Sequence, residues 1–253
     1  MTLFFTRLSR FILCVGVLGL APATFVTALA AEASLTLPQS VSATYKISRN
    51  GLLIGNVEEK FTRVGANRYK IISTTRTEGV AAFITKDQLI VSSEGRITSD
   101  GLVPTLYSSA RQKDTKRNFV SRFDWANKTI TREHQQDGSA ETETFPLIHG
   151  THDRLSAMYQ FMQSRPSAKS IPVKMSLGKE AELYLYLKQG EPILATRAGE
   201  FETIQYARDI KAGESKAEIW LAKSKNYLPV KIIFEDNKGN KLEQLLVDLV
   251  VEG

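Results

Sequence analysis

The stretch Ala217–Glu235, AEIWLAKSKNYLPVKIIFE, constrains this chain most. Apolar residues recur at every second position on both sides of a short basic turn: Ala217, Ile219 and Leu221, then Val230, Ile232 and Phe234. Successive side chains of a strand point to opposite faces, so this spacing builds two strands, each with one face against a core. Trp220 adds a large ring to the opposite face of the first strand. Pro229 stands where the second begins, before a ladder N–H is needed. Such a hairpin belongs in a β-protein, and the other segments follow the same rule.

From Ser40 onward, short alternating runs are separated by turn residues. Val41, Ala43, Tyr45 and Ile47 share one face, and Asn50-Gly51 then gives a two-residue turn signal in which both residues adopt positive φ. Leu52–Thr62 returns as the partner strand. Phe119, Ser121, Phe123 and Trp125 share another face, and Asp137-Gly138 marks a further hairpin. In the last run, Lys241–Val251, the positions expected to be buried are Leu242, Leu246 and Val250. The spacing predicts about a dozen strands in a single antiparallel, curved or barrel-like sheet. Glu78–Lys86, EGVAAFITK, breaks this rhythm and is too short for periodicity to assign.

One segment reads as a helix, over about 151–164, where Leu155, Met158, Tyr159 and Met162 follow at i, i+3, i+4 and i+7, a single buried stripe. Thr151 is the expected N-cap, and Asp153 places a negative charge in the first turn. Arg165-Pro166 ends it, because the residue before proline avoids the helical region.

The first thirty residues stand apart. Arg7 and Arg10 precede an apolar run, Phe11–Leu20, which leads to the small residues Ala28-Leu29-Ala30-Ala31. That order is the signature of a secretory signal peptide, with cleavage expected after Ala30 and Ala33 as second choice. The run falls short of the ~20 residues of a membrane-spanning helix. The division expected is residues 1–30 as signal, 31–40 as an extension and 41–253 as one β-rich domain. The periplasm is the expected compartment, secretion the second choice. Cys14, the only cysteine, falls within the signal, so the exported domain forms no disulfide. The chain has 33 basic and 27 acidic residues, and losing Arg7 and Arg10 leaves 31 against 27, a net charge of +4. The basic excess is scattered among acids, not gathered into the one-sided stripe of a nucleic-acid protein.

Several ordered motifs bear on kinship. They are Ala43-Thr-Tyr-Lys-Ile, Asn50-Gly51-Leu52, Glu94-Gly95-Arg96-Ile97, Gly101-Leu102-Val103-Pro104, Phe123-Asp124-Trp125, Asp153-Arg154-Leu155-Ser156, Trp220-Leu221-Ala222 and Tyr227-Leu228-Pro229-Val230. In this order the chain resembles the exported bacterial domain-of-unknown-function family 3108, DUF3108. The resemblance implies a mostly antiparallel β-structure with a helix packed on it and brings no activity. That layout is similar to the periplasmic lipoprotein carriers, whose curved sheet and helical lid hold acyl chains, a likeness of fold alone.

Reactive constellations are not legible. His149-x-x-His152 with Asp153 straddles a loop and a helix start, short of the three or four converging ligands of a zinc site. No serine stands in a nucleophile elbow, and the glycines lie singly in turns, not in a phosphate-binding loop. Glu58-Glu59, Glu141/Glu143 and Glu180/Glu182 read as acids on solvated strand faces. Asp153, Trp220 and Pro229 read as structural. Phe83, Trp125, Met158, Phe161 and Met162 are the candidates for lining an apolar cavity, since methionine and aromatic side chains adapt to acyl chains. The expectation is a non-enzymatic periplasmic protein without cofactor or metal, binding a lipid or other hydrophobic envelope component. The alternative is an envelope scaffold or assembly factor that works through its surface.

Overall fold

A computed structural model describes residues 37–253 apart from 80, 83–85, 137–138, 163–168 and 211–212. The expected signal peptide, Phe83 and the Asp137-Gly138 turn lie outside these residues. Eight strands form the first part of the chain: β1 (Ser40–Arg49), β2 (Leu52–Val64), β3 (Arg68–Thr77), β4 (Gln88–Thr98), β5 (Gly101–Arg111), β6 (Phe119–Asp124), β7 (Thr129–Gln136) and β8 (Ser139–Pro146). A short strand β9 (Thr151–Asp153) runs directly into helix α1 (Arg154–Gln160). Then follow β10 (Ser170–Ser176), β11 (Glu182–Gly190), β12 (Ile193–Thr196), β13 (Gly199–Arg208), β14 (Lys216–Ala222), β15 (Leu228–Glu235) and β16 (Lys241–Glu252).

The strands make one sheet in the order β8-β7-β6-β5-β4-β3-β2-β1-β16-β15-β14-β13-β11-β10-β9, with β12 paired to β13 off this path. Among the described residues the sheet has sixteen strands against the dozen expected; β9, read from the sequence as the start of the helix, is one of those added. The pairs are antiparallel except β9–β10, whose parallel register reflects the α1 crossover between them. The chain's first and last strands close the centre of the sheet, Val41 opposite Val251 and Arg49 opposite Leu242. The sheet curls without closing, and its β9 end lies against β5.

Local turn chemistry agrees with the sequence at Asn50-Gly51, whose φ values are 49° and 83°. The alternation also holds: Val41, Ala43, Tyr45 and Ile47 are all buried. It fails in β16. Leu246 is fully buried, but Val250 is 51% exposed and Leu242 39%. The register between β1 and β16 shifts between Thr44 and Tyr45, so Val247 is an extra residue and the positions after it change face. Leu242 keeps the inner face but lies beyond the core, at the open end of the sheet.

The helix differs from its expected form in three ways. It is shorter, seven residues. Its N-cap is Asp153, not Thr151, which is a β9 residue. It is also buried on more than one side. Leu155, Tyr159 and Met162 enter a core with Phe61, Ile71, Val91 and Ile130, while Ala157 and Phe161 enter another with Tyr186, Ile204, Tyr206 and Leu221. A helix surrounded by a curled sheet loses the polar face that a surface helix keeps. Its far end is pinned by Gln160, whose Oε1 accepts from Leu102 N at 2.8 Å and whose Nε2 donates to Asp100 O at 3.2 Å. Gly101 makes this contact possible. At its φ of 116°, a Cβ would stand 2.1 Å from Gln160 Nε2.

Candidate functional site

The inner face of the sheet carries hydroxyls and carboxyls where α1 meets it. Tyr69 and, further along β3, Ser73 are buried, as is Ser93 on β4. Asp153 is delivered into this group by β9 and is fully buried. Its Oδ1 accepts from Leu155 N at 2.8 Å and Ser156 N at 2.9 Å, and its Oδ2 accepts from Ser93 Oγ at 2.6 Å. Ser156 Oγ completes the capping box by accepting from Asp153 N at 3.0 Å. Since Ser93 spends its hydrogen on Asp153, the Tyr69 hydroxyl, 3.2 Å away, is the donor to Ser93. Burial pushes the Asp153 carboxyl above its ordinary range, against the pull of these donors.

A second carboxyl lies across the same helix. Glu58 and Glu59, expected on solvated faces, divide. Glu58 is exposed and pairs with Arg76 at 2.7 Å on the outside. Glu59 takes the parity of Val57 and Phe61 and is opposite Ala43 and Ser73, so it points inward. Desolvation raises its pKa, while Arg154, Tyr159 and Ser73 act to lower it. The Tyr159 hydroxyl is buried and reaches no partner at ordinary hydrogen-bond geometry. After burial itself, Glu59 is what most strongly keeps that hydroxyl protonated. Glu59 was legible in principle, as a polar residue at the middle position of Val57-x-Glu59-x-Phe61.

Because its folded pKa is raised, Glu59 contributes stability below its unfolded pKa of about 4.3, and that contribution is lost as pH rises through the folded pKa. Glu59→Gln is therefore expected to stabilise the protein at neutral pH by about 1 kcal/mol and to do nothing near pH 4. Urea unfolding of variant and wild type at both pH values checks this. The difference between the two proteins is the quantity to read, because His152 titrates as well. Burial lowers its pKa to about 4, so its contribution is lost as pH falls from about 6.5 to about 4 in both.

The four described candidates for lining a cavity, Trp125, Met158, Phe161 and Met162, are distributed through the packed interior. Phe161 and Met162 are 2% exposed, and Met158 is half-buried against the second helical core. Trp125 packs at the edge of the first core and donates its Nε1–H to Pro104 O at 2.7 Å. Trp220 is 8% exposed and packs with Phe201, Val230 and Ile233, with Lys231 Nζ 5.1 Å from its ring centroid. Pro229, at the start of β15, accepts a hydrogen bond from Tyr45 Oη at 2.9 Å through its carbonyl. His149 and His152 do not converge on Asp153 as ligands. His149 uses its carbonyl to accept from Lys174 Nζ at 3.1 Å, and both Asp153 oxygens already accept, Oδ1 in the cap and Oδ2 from Ser93. Chemically, the arrangement fixes α1 inside the sheet.

A curled, unclosed antiparallel sheet holding one short helix defines a β-barrel-like protein. The sequence pattern of DUF3108, a family of proteins of unknown function, matches residues 44–247, and the chain belongs to that family. No curated protein matches it. In three dimensions it is similar to the beta-barrel-like protein of domain of unknown function DUF1849 from Brucella abortus. That likeness has a TM-score of 0.55 at 9% identity and covers 86% of this chain and 99% of that one. A weaker likeness, to a candidate lipoprotein from Parabacteroides distasonis, covers 85% and 97% at 9% identity with a TM-score of 0.36. The first of these extends the fold and says nothing of activity.

Proposed function

We propose that this chain is a non-enzymatic protein exported to the periplasm that works through its surface as an envelope scaffold or assembly factor. The observation that carries this reading is the filling of the sheet by α1. Leu155, Tyr159 and Met162 pack to one side of the helix and Ala157 and Phe161 to the other. A carrier that buries an acyl chain between sheet and helix would have to displace these side chains and the Asp153 cap with them. Export is supported by the basic, apolar and small-residue order of residues 1–31. Native mass spectrometry of the exported protein tests the reading. The expected mass is that of the polypeptide alone. Co-purified lipid, retained when the protein is transferred to fresh buffer, would favour the carrier instead.

A further inference from the structure

At the open end of the sheet, the last inward-facing row of side chains is apolar and exposed. Arg49 is opposite both Leu52 on β2 and Leu242 on β16, and Leu242 is opposite Phe234 on β15. Directly opposed residues project to the same side, so the four form one row about 14 Å long across adjacent strands. Leu52 is 62% exposed, Phe234 43% and Leu242 39%. The row is held rigidly. Asn50 N donates to Lys241 O and Asn50 Oδ1 accepts from Lys241 N, both at 2.8 Å, which joins the β1–β2 tip to the β15–β16 turn.

The charges around the row leave a cationic excess. Glu235 is neutralised by Lys216 at 2.8 Å. Asp236, near Arg49, is held ionised in closing its own turn by Lys238 N, Asn240 N and Asn240 Nδ2 and offsets one positive charge. Arg49, Lys238 and Lys241 stand against the single acid Asp236, which leaves a net positive charge beside the exposed leucines and phenylalanine. We propose that this rim docks on an anionic lipid bilayer, a proposal that rests on the surface-acting reading above and gives that surface its partner. A single row of side chains covers much less than the roughly 800 Å² per partner of a stable protein interface. A bilayer accepts such a row, because individual apolar side chains enter its headgroup boundary while each nearby cation is drawn to anionic headgroups.

The test uses the full exported protein with vesicles of phosphatidylcholine, with and without phosphatidylglycerol, carrying brominated acyl chains. Phe234→Trp places a reporter in the row, and Val250→Trp places one at the far end of the sheet at a site 51% exposed. The result expected is quenching of the Phe234→Trp reporter only by vesicles containing phosphatidylglycerol, and no quenching of the Val250→Trp reporter. Arg49→Glu should weaken partitioning about tenfold, and added salt should weaken it further. Equal quenching at both sites, or binding indifferent to phosphatidylglycerol, would overturn the proposal. So would a Phe234→Trp emission shift produced by raising protein concentration without vesicles, which would mark a contact between copies of the chain. Native mass spectrometry reads the interior and these spectra read the rim, so the two readings fail separately.

Discussion

Trp220→Ala should cost about 3–4 kcal/mol of stability and lower the melting temperature by roughly 10 °C. Trp220 alternates with Ile219 and Leu221 on β14, so it points away from α1. Even so it is 8% exposed, because Phe201, Ala222 and Ile233 pack with it and Leu194 and Ala198, from β12 and the β12–β13 turn, lie against the same group. Removing the ring leaves a cavity between strands that are hydrogen-bonded to their neighbours and cannot collapse freely. It also removes the aromatic face over which Lys231 lies. Trp220→Phe should recover most of the loss. Differential scanning calorimetry reads all three proteins. At temperatures where the alanine variant remains folded, its vesicle partitioning should equal that of wild type, since the ring lies about three residues, roughly 10 Å, along the strand from the exposed row. A variant that melts normally but loses partitioning would show that Trp220 belongs to a binding surface.

What the sequence disclosed and what it withheld have one physical division. Alternation and turn chemistry are local. Val41 through Ile47 and Asn50-Gly51 could therefore be placed without knowing any partner strand. The face of Val250 depends on one extra residue at Val247, created by the register of β16 with β1 some two hundred positions away, and local pattern carries no trace of it. The helix misled for the same reason. Its i, i+3, i+4 stripe is real, yet Ala157 and Phe161 are buried too because the sheet curls around α1, a consequence of pairing order. Glu59 reads locally as a solvated acid, since adjacent carboxylates usually serve solubility, although its parity with Val57 and Phe61 places it inside.

The ordered motifs acquire a common meaning in three dimensions. Tyr45 from the first binds Pro229 O from the last. Leu102 N binds Gln160 of the helix, Pro104 O receives Trp125, and the Asp153-Arg154-Leu155-Ser156 opening caps α1. These residues assemble the sheet around its helix, which is why they specify a fold more clearly than a reaction. The exposed row at Arg49 depends on residues from two hairpins at opposite ends of the chain, and its apolar members are ordinary strand residues in the sequence. Only the register aligns them.

Asp153→Ala should be the most damaging change in the helix, at about 3 kcal/mol. Loss of an N-cap costs about 1 kcal/mol by itself. Here the change also leaves the Ser93 hydroxyl and the buried amides of Leu155 and Ser156 without their acceptor, and an unsatisfied buried donor costs about 1–3 kcal/mol. Asp153→Asn is the discriminating control. An asparagine oxygen caps as well as a carboxylate, and its amide can donate to Ser93, so most of the stability should remain. The sign with pH separates a buried carboxyl from a simple cap. Burial raises the folded pKa of Asp153, so its contribution is fullest below the unfolded value of about 3.9 and declines as pH rises through the folded value. The deficit of Asp153→Ala should accordingly be larger at pH 4 than at pH 7, and Asp153→Asn, which also lacks the titrating group, should gain on wild type in the same direction as pH rises, from a much smaller deficit. Hydrogen exchange of the Leu155 and Ser156 amides locates the effect. Both should exchange quickly in the alanine variant and stay protected in the asparagine one. A deficit that grew with pH would mean that the ionised carboxylate, not the protonated form, holds the helix in the sheet.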